Sequence, residues 1–92
     1  MHKERIYLEK KYISELPDQS GIYFLYQEGN VLVYIGIAIS LRRRVIKHDD
    51  NKDFCRIGYE LIHYSRARTL ERDLLSQYKE AHGQLPHYNK QS

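Results

Sequence analysis

The sequence predicts an α/β fold of the α+β type, a three-stranded antiparallel sheet flanked by helices, in one domain over residues 1–92 with its core at about 16–90. Three observations predict it. Two runs of apolar and aromatic residues, Gly21 to Tyr26 and Val31 to Gly36, flank the polar break Gln27-Glu28-Gly29-Asn30. A short basic segment with helical spacing follows, and beyond a polar loop come a β-rich stretch and a long amphipathic one.

Residues 1–20 combine charge with scattered aromatics, and Tyr7, Leu8, Tyr12 and Ile13 read as cover for one side of the core. Leu16-Pro17-Asp18-Gln19-Ser20 is a turn that delivers the chain into the first strand. With Glu28 and Gly29 as the hairpin turn, Tyr23 stands directly opposite Tyr34, and the two phenols project from one face. Ser40 is an N-cap for a helix from Leu41 to about His48. On that helix Leu41, Arg44, Val45 and His48 fall within one arc, so Arg44 and His48 should emerge at the edge of the packed face, where a partly desolvated guanidinium calls for an anion or a carboxylate. Arg43 and Lys47 point away from it.

Ile57 to Ser65 reads as the third strand, with Tyr59, Leu61 and His63 on one side. The long helix runs from about Ala67 to His82, and Gly83 and Pro86 end it. Ala67, Leu70, Leu74, Leu75, Tyr78 and Ala81 form its apolar arc, and Glu71 falls inside that arc while Asp73 and Glu80 lie off it. A carboxylate there costs free energy unless it is paired or holds a metal ion.

The chain carries 15 basic and 12 acidic residues, a formal charge of +3, which alone does not mark a nucleic-acid binder. Distribution says more. Arg42, Arg43, Arg44, Lys47 and His48 lie on one short helix without an acid, which suits a phosphate ligand as well as a solvated face. Cys55 is the single cysteine, which excludes an intramolecular disulfide and a cysteine zinc site. No segment has the character of a signal peptide or the ~18 apolar residues of a membrane span, so a soluble, cytoplasmic protein without membrane association is expected. There is no phosphate-cradling glycine loop and no nucleophilic serine motif.

The triplets Gly21-Ile22-Tyr23 and Tyr34-Ile35-Gly36, followed by Arg44 eight and His48 twelve positions after Gly36, then by Leu70-Glu71 in the long helix and by Tyr88-Asn89, resemble the GIY-YIG nuclease domain. The resemblance spans nearly the whole chain. It implies a GIY-YIG endonuclease that hydrolyses phosphodiester bonds in DNA, in repair or recombination. Tyr23 would take the proton of the attacking water, with Tyr34 assisting and Asn89 bracing the site. A single Mg²⁺ or Mn²⁺ on Glu71 and a phosphate clamp at Arg44 supply the remaining needs of the reaction, and Arg42, Arg43 and Lys47 would carry the nucleic-acid backbone. Where many members have a lysine or another polar residue after the second glycine, this chain has Ile37, which throws the removal of the Tyr23 proton more heavily onto His48. A domain of this size has no room for a recognition module, so branched or nicked DNA, a homodimer or a partner protein would supply specificity. A catalytically weak or inactive nucleic-acid-binding relative and a protein-interaction module are the alternatives.

Overall fold

The computed structural model describes residues 5–90. A four-stranded antiparallel sheet in the order β1-β4-β2-β3 is built from β1 (Ile6–Glu9), β2 (Gly21–Gln27), β3 (Val31–Ala38) and β4 (Arg56–Leu61). Helices α1 (Leu41–His48) and α2 (Tyr64–His82) join them, with 3₁₀ turns at Lys10–Glu15 and His87–Lys90. The sheet has one strand more than expected. β1 is a four-residue edge strand paired to β4, and its Ile6 and Tyr7 are about half exposed, so it lacks the apolar alternation by which a strand is recognised.

The two faces of the sheet hold separate cores. Tyr23, Leu25, Val33 and Ile57 pack with Leu41 and Val45 of α1, whereas Ile22, Phe24 and Ile35 pack with Leu70, Leu74 and Leu75 of α2. The expected apolar arc of α2 therefore covers the sheet in its first half. Ala81 is exposed, and Tyr78 stacks on His82 instead, because the helix runs on past the sheet.

The hairpin register differs from the one expected. Tyr23 pairs with Gly36, and Tyr34 pairs with Leu25. Glu28, Gly29 and Asn30 all lie in the turn, the last two at positive φ, and Val33 is bulged out of the ladder opposite Leu25 and Tyr26. Each irregularity moves the register by one residue, so together they restore the parity that puts Tyr23 and Tyr34 on one face. Their ring centroids are 5.9 Å apart.

Close approaches across the sheet explain both motif glycines. A Cβ on Gly21 would collide with the carbonyl oxygen of Glu60 on β4. One on Gly36 would lie 2.6 Å from the Tyr23 hydroxyl and 2.7 Å from the Tyr34 ring, in the space those phenols occupy. Gly36→Ala should therefore displace both rings, lowering stability by about 1–3 kcal/mol. Urea unfolding monitored by circular dichroism measures that loss.

β4 ends at Leu61, earlier than the β-rich sequence suggests. The Ser20 hydroxyl donates to the Ile62 carbonyl, and the His63 ring accepts from the Ser65 N–H, so histidine caps α2 in place of the usual hydroxyl or carboxamide. Tyr64 and Ser65, expected at the end of a strand, are thereby the first residues of a helix. At the other end Gly83, at φ 78°, closes α2 as expected.

Candidate active site

The site forms around the outer edge of β3. Helix α1 approaches from one face of the sheet and α2 from the other, and between them lies a cavity of about 430 Å³. Tyr34 and Ile37 of β3, Arg43, Arg44 and Lys47 of α1, and Tyr64 and Glu71 of α2 line it. Ser40 starts α1 here: its hydroxyl accepts from the Arg43 N–H at 3.4 Å and donates to the Asp18 carboxylate. Three cations thus face one carboxylate and one phenol across the strand edge.

Behind Tyr34, the Tyr23 hydroxyl and His48 Nε2 share a hydrogen bond of 2.6 Å. Both residues are buried, Tyr23 completely. Burial and the neighbouring Tyr34 phenol push the Tyr23 pKa up, while the Arg44 guanidinium beside its hydroxyl opposes the rise. His48 moves the other way. Burial, reinforced by the charges of Lys52 and Arg44, brings its pKa down to about 4. The pair is therefore a neutral phenol on a neutral imidazole. Nδ1 of that ring has no hydrogen-bond partner among the described residues; with Nε2 accepting from the phenol, Nδ1 carries the ring hydrogen.

Glu71 is half-buried, and burial raises its pKa against the opposing charge of Arg68. Among the described residues it makes no ion pair and no side-chain hydrogen bond, and no group of three or more His, Cys, Asp and Glu side chains exists to hold a metal ion. A lone, partly desolvated carboxylate at the wall of an open cavity fits a Mg²⁺-like ion, which keeps most of its waters and takes one or two protein carboxylates.

The remaining expected residues are placed elsewhere. Asn89 lies on the outer edge of β3, where its side-chain oxygen accepts from the Ile35 N–H and its nitrogen donates to the Ile35 carbonyl, both at 2.9 Å. Arg42 turns away from the cavity. Its guanidinium donates to the Leu16 carbonyl at 2.8 Å and fastens the turn before β2 to α1. Arg44 lines the cavity but is exposed, not half-sheltered as its helical position suggests, because the sheet-facing seam of α1 is filled by Leu41, Val45 and His48.

Two residues of the site escaped the sequence reading. Lys52 Nζ lies 5.0 Å from the Tyr34 ring centre and 5.7 Å from that of Tyr88, and Tyr88 accepts from the Asp53 N–H at 2.9 Å. This ties the loop after α1 to the end of the chain. A loop lysine carries no periodic signal, and only the fold brings it to Tyr34. Tyr64 was hidden by its assignment to a strand.

No family model matches the chain. It is 31% identical over 55 residues to the UvrABC system protein C of Finegoldia magna, an alignment that covers 59% of this chain and 9% of that protein. Among solved structures it is similar to the GIY-YIG N-terminal endonuclease domain of UvrC from Thermotoga maritima bound to its catalytic divalent cation, magnesium. The TM-score is 0.66 at 24% identity, covering 86% of this chain and 92% of that one. A tyrosine-to-phenylalanine point mutant of the same domain, bound to its catalytic divalent cation, superposes with a TM-score of 0.59 at 25% identity over 86% of this chain and 91% of that one. Among the described residues, no helix is long and apolar enough to cross a membrane.

Proposed function

This chain has the GIY-YIG domain fold, and from that premise we propose that it is a metal-dependent endonuclease that hydrolyses phosphodiester bonds in DNA. One observation carries the reading: Arg44, Tyr34 and Glu71 meet in a single cavity at the edge of β3, backed by the Tyr23–His48 hydrogen bond. Phosphoryl chemistry needs a charge clamp, a proton acceptor and stabilisation of the leaving oxygen, and these side chains cover those needs.

In this reading Arg44, exposed at the cavity wall, engages the scissile phosphate, and Arg43 and Lys47 hold its neighbours. Tyr23 accepts the proton of the attacking water as its own proton passes to His48 Nε2, which its low pKa keeps unprotonated at neutral pH. Tyr34 packs against both rings and fixes them. Glu71 would hold one Mg²⁺ or Mn²⁺, which when bound neutralises charge on the phosphate and on the leaving 3′ oxygen. Asn89 braces Tyr34 through the backbone of the adjacent Ile35.

The test is incubation of the purified chain with branched, nicked and single-stranded DNA, with Mg²⁺, with Mn²⁺ and with chelator. Cleavage that requires the cation and binding that weakens steeply with salt are expected. Binding without cleavage under any metal condition would leave a nucleic-acid-binding module, and absence of binding would leave a protein-interaction domain.

A further inference from the structure

We propose that the first two turns of α2 form a second phosphate-binding surface, which grips the nucleic-acid backbone on the far side of Glu71 from Arg44. The proposal rests on the nuclease reading above and adds to it a site for the flanking strand. A second cavity, of about 610 Å³, adjoins the first, and Tyr64 and Glu71 line both. Its other walls are Ser65, Arg68, Thr69 and Arg72. Tyr64 and Glu71 are thus a divide with arginines on either side of it.

Helical geometry makes this a built surface. At about 100° per residue, Glu71, Tyr64, Arg68, Arg72, Ser65 and Thr69 follow one another around the half of the helix that begins inside its apolar arc and runs out across the polar side. Arg68 and Arg72, four residues apart, are separated by ~6 Å along the axis. A stacked strand advances ~3.4 Å per nucleotide, so the two guanidiniums match phosphates one or two nucleotides apart. The Thr69 hydroxyl is a further donor of the kind that contacts phosphate oxygens, whereas the Ser65 hydroxyl already donates to His63 Nδ1 at 2.9 Å. Glu71 is the single acid lining either cavity, and it is the residue placed to hold a cation. Arg72 has an acidic neighbour in Asp73, 3.6 Å away, but both side chains are well exposed and such a pair yields readily to a phosphate. Arg68 makes no ion pair among the described residues.

The experiment uses the full chain with Arg68→Gln and Arg72→Gln, singly and together. The control is Arg66→Gln, an equal loss of charge on the same two turns from an exposed residue that lines neither cavity. Fluorescence anisotropy with labelled single-stranded and nicked DNA gives the slope of log K against log salt. Each groove arginine removed should flatten that slope by roughly 0.7–0.9, the pair by about twice that, while Arg66→Gln stays near the wild type. An unchanged slope in the double variant, or an equal loss in Arg66→Gln, overturns the surface while leaving the nuclease reading intact. A wild-type chain that binds no DNA overturns the nuclease reading itself, and this surface with it.

Discussion

Glu71→Gln should fold normally, bind DNA normally and cleave at least several powers of ten more slowly. The glutamine keeps the size and hydrogen-bonding reach of the side chain and removes its charge, so what is lost is the anchor for a divalent cation and with it the stabilisation of the leaving oxygen. Each power of ten corresponds to about 1.4 kcal/mol of barrier. Stability should move in the other direction. A carboxyl whose pKa is raised by burial is least stable as the anion, so the wild type carries a penalty above its unfolded pKa that protonation relieves as pH falls. At neutral pH the variant escapes that penalty, a gain held to ~1 kcal/mol or less by the solvent that still reaches the group. Melting temperature, DNA affinity and Mg²⁺-dependent cleavage, measured side by side, separate a catalytic carboxylate from one without a part in the reaction. A variant that cleaves normally would remove Glu71 from the reaction.

Tyr23→Phe should lose cleavage by a factor of roughly 10²–10⁴, the usual range for a positioned proton acceptor. His48→Ala should fall as far, and the double variant hardly further, because the two side chains act as one unit. Tyr23→Phe also leaves His48 Nε2 buried without its partner, costing about 1–3 kcal/mol of stability. The pH dependence discriminates further. His48 has a folded pKa of about 4, below that of the unfolded chain, so it must take up a proton to unfold. Its stabilisation is complete above the unfolded value and is lost as pH falls through the folded one. Melting temperature should therefore decline between about pH 6.5 and 4. Cleavage should persist at pH 5.5, where an ordinary histidine would be largely protonated. An acid limb near pH 6.5 would show that the proton goes to an imidazole with the ordinary pKa and not to a His48 shifted by burial.

The elements that position this chemistry were legible where local physics decides them. Ser40, the apolar seam of α1, the Gly83 cap and the misplaced charge of Glu71 follow from helix geometry alone. The register did not. A turn one residue longer and a bulge at Val33 leave little trace in composition, and only because their shifts combine to two residues did the pairing of phenols survive on one face. Arg42 shows the opposite failure. Nothing in a run of three arginines says which one a carbonyl will claim, and Leu16 claims the first. Lys52 reaches Tyr34 from a loop, and β1 pairs across some fifty residues of sequence, so neither has a local signature.

The paired hydrogen bonds between Asn89 and Ile35 have a consequence apart from chemistry. β3 is the long outer strand of the sheet, eight residues and largely apolar, the kind of border that recruits strands from other molecules. At Ile35 the carboxamide offers one donor and one acceptor to a single residue, the same complement that an incoming strand would present. The end of the chain thereby occupies the place of a fifth strand without being one. A variant that loses this hold on Ile35 should therefore bare that stretch of the border to an incoming strand.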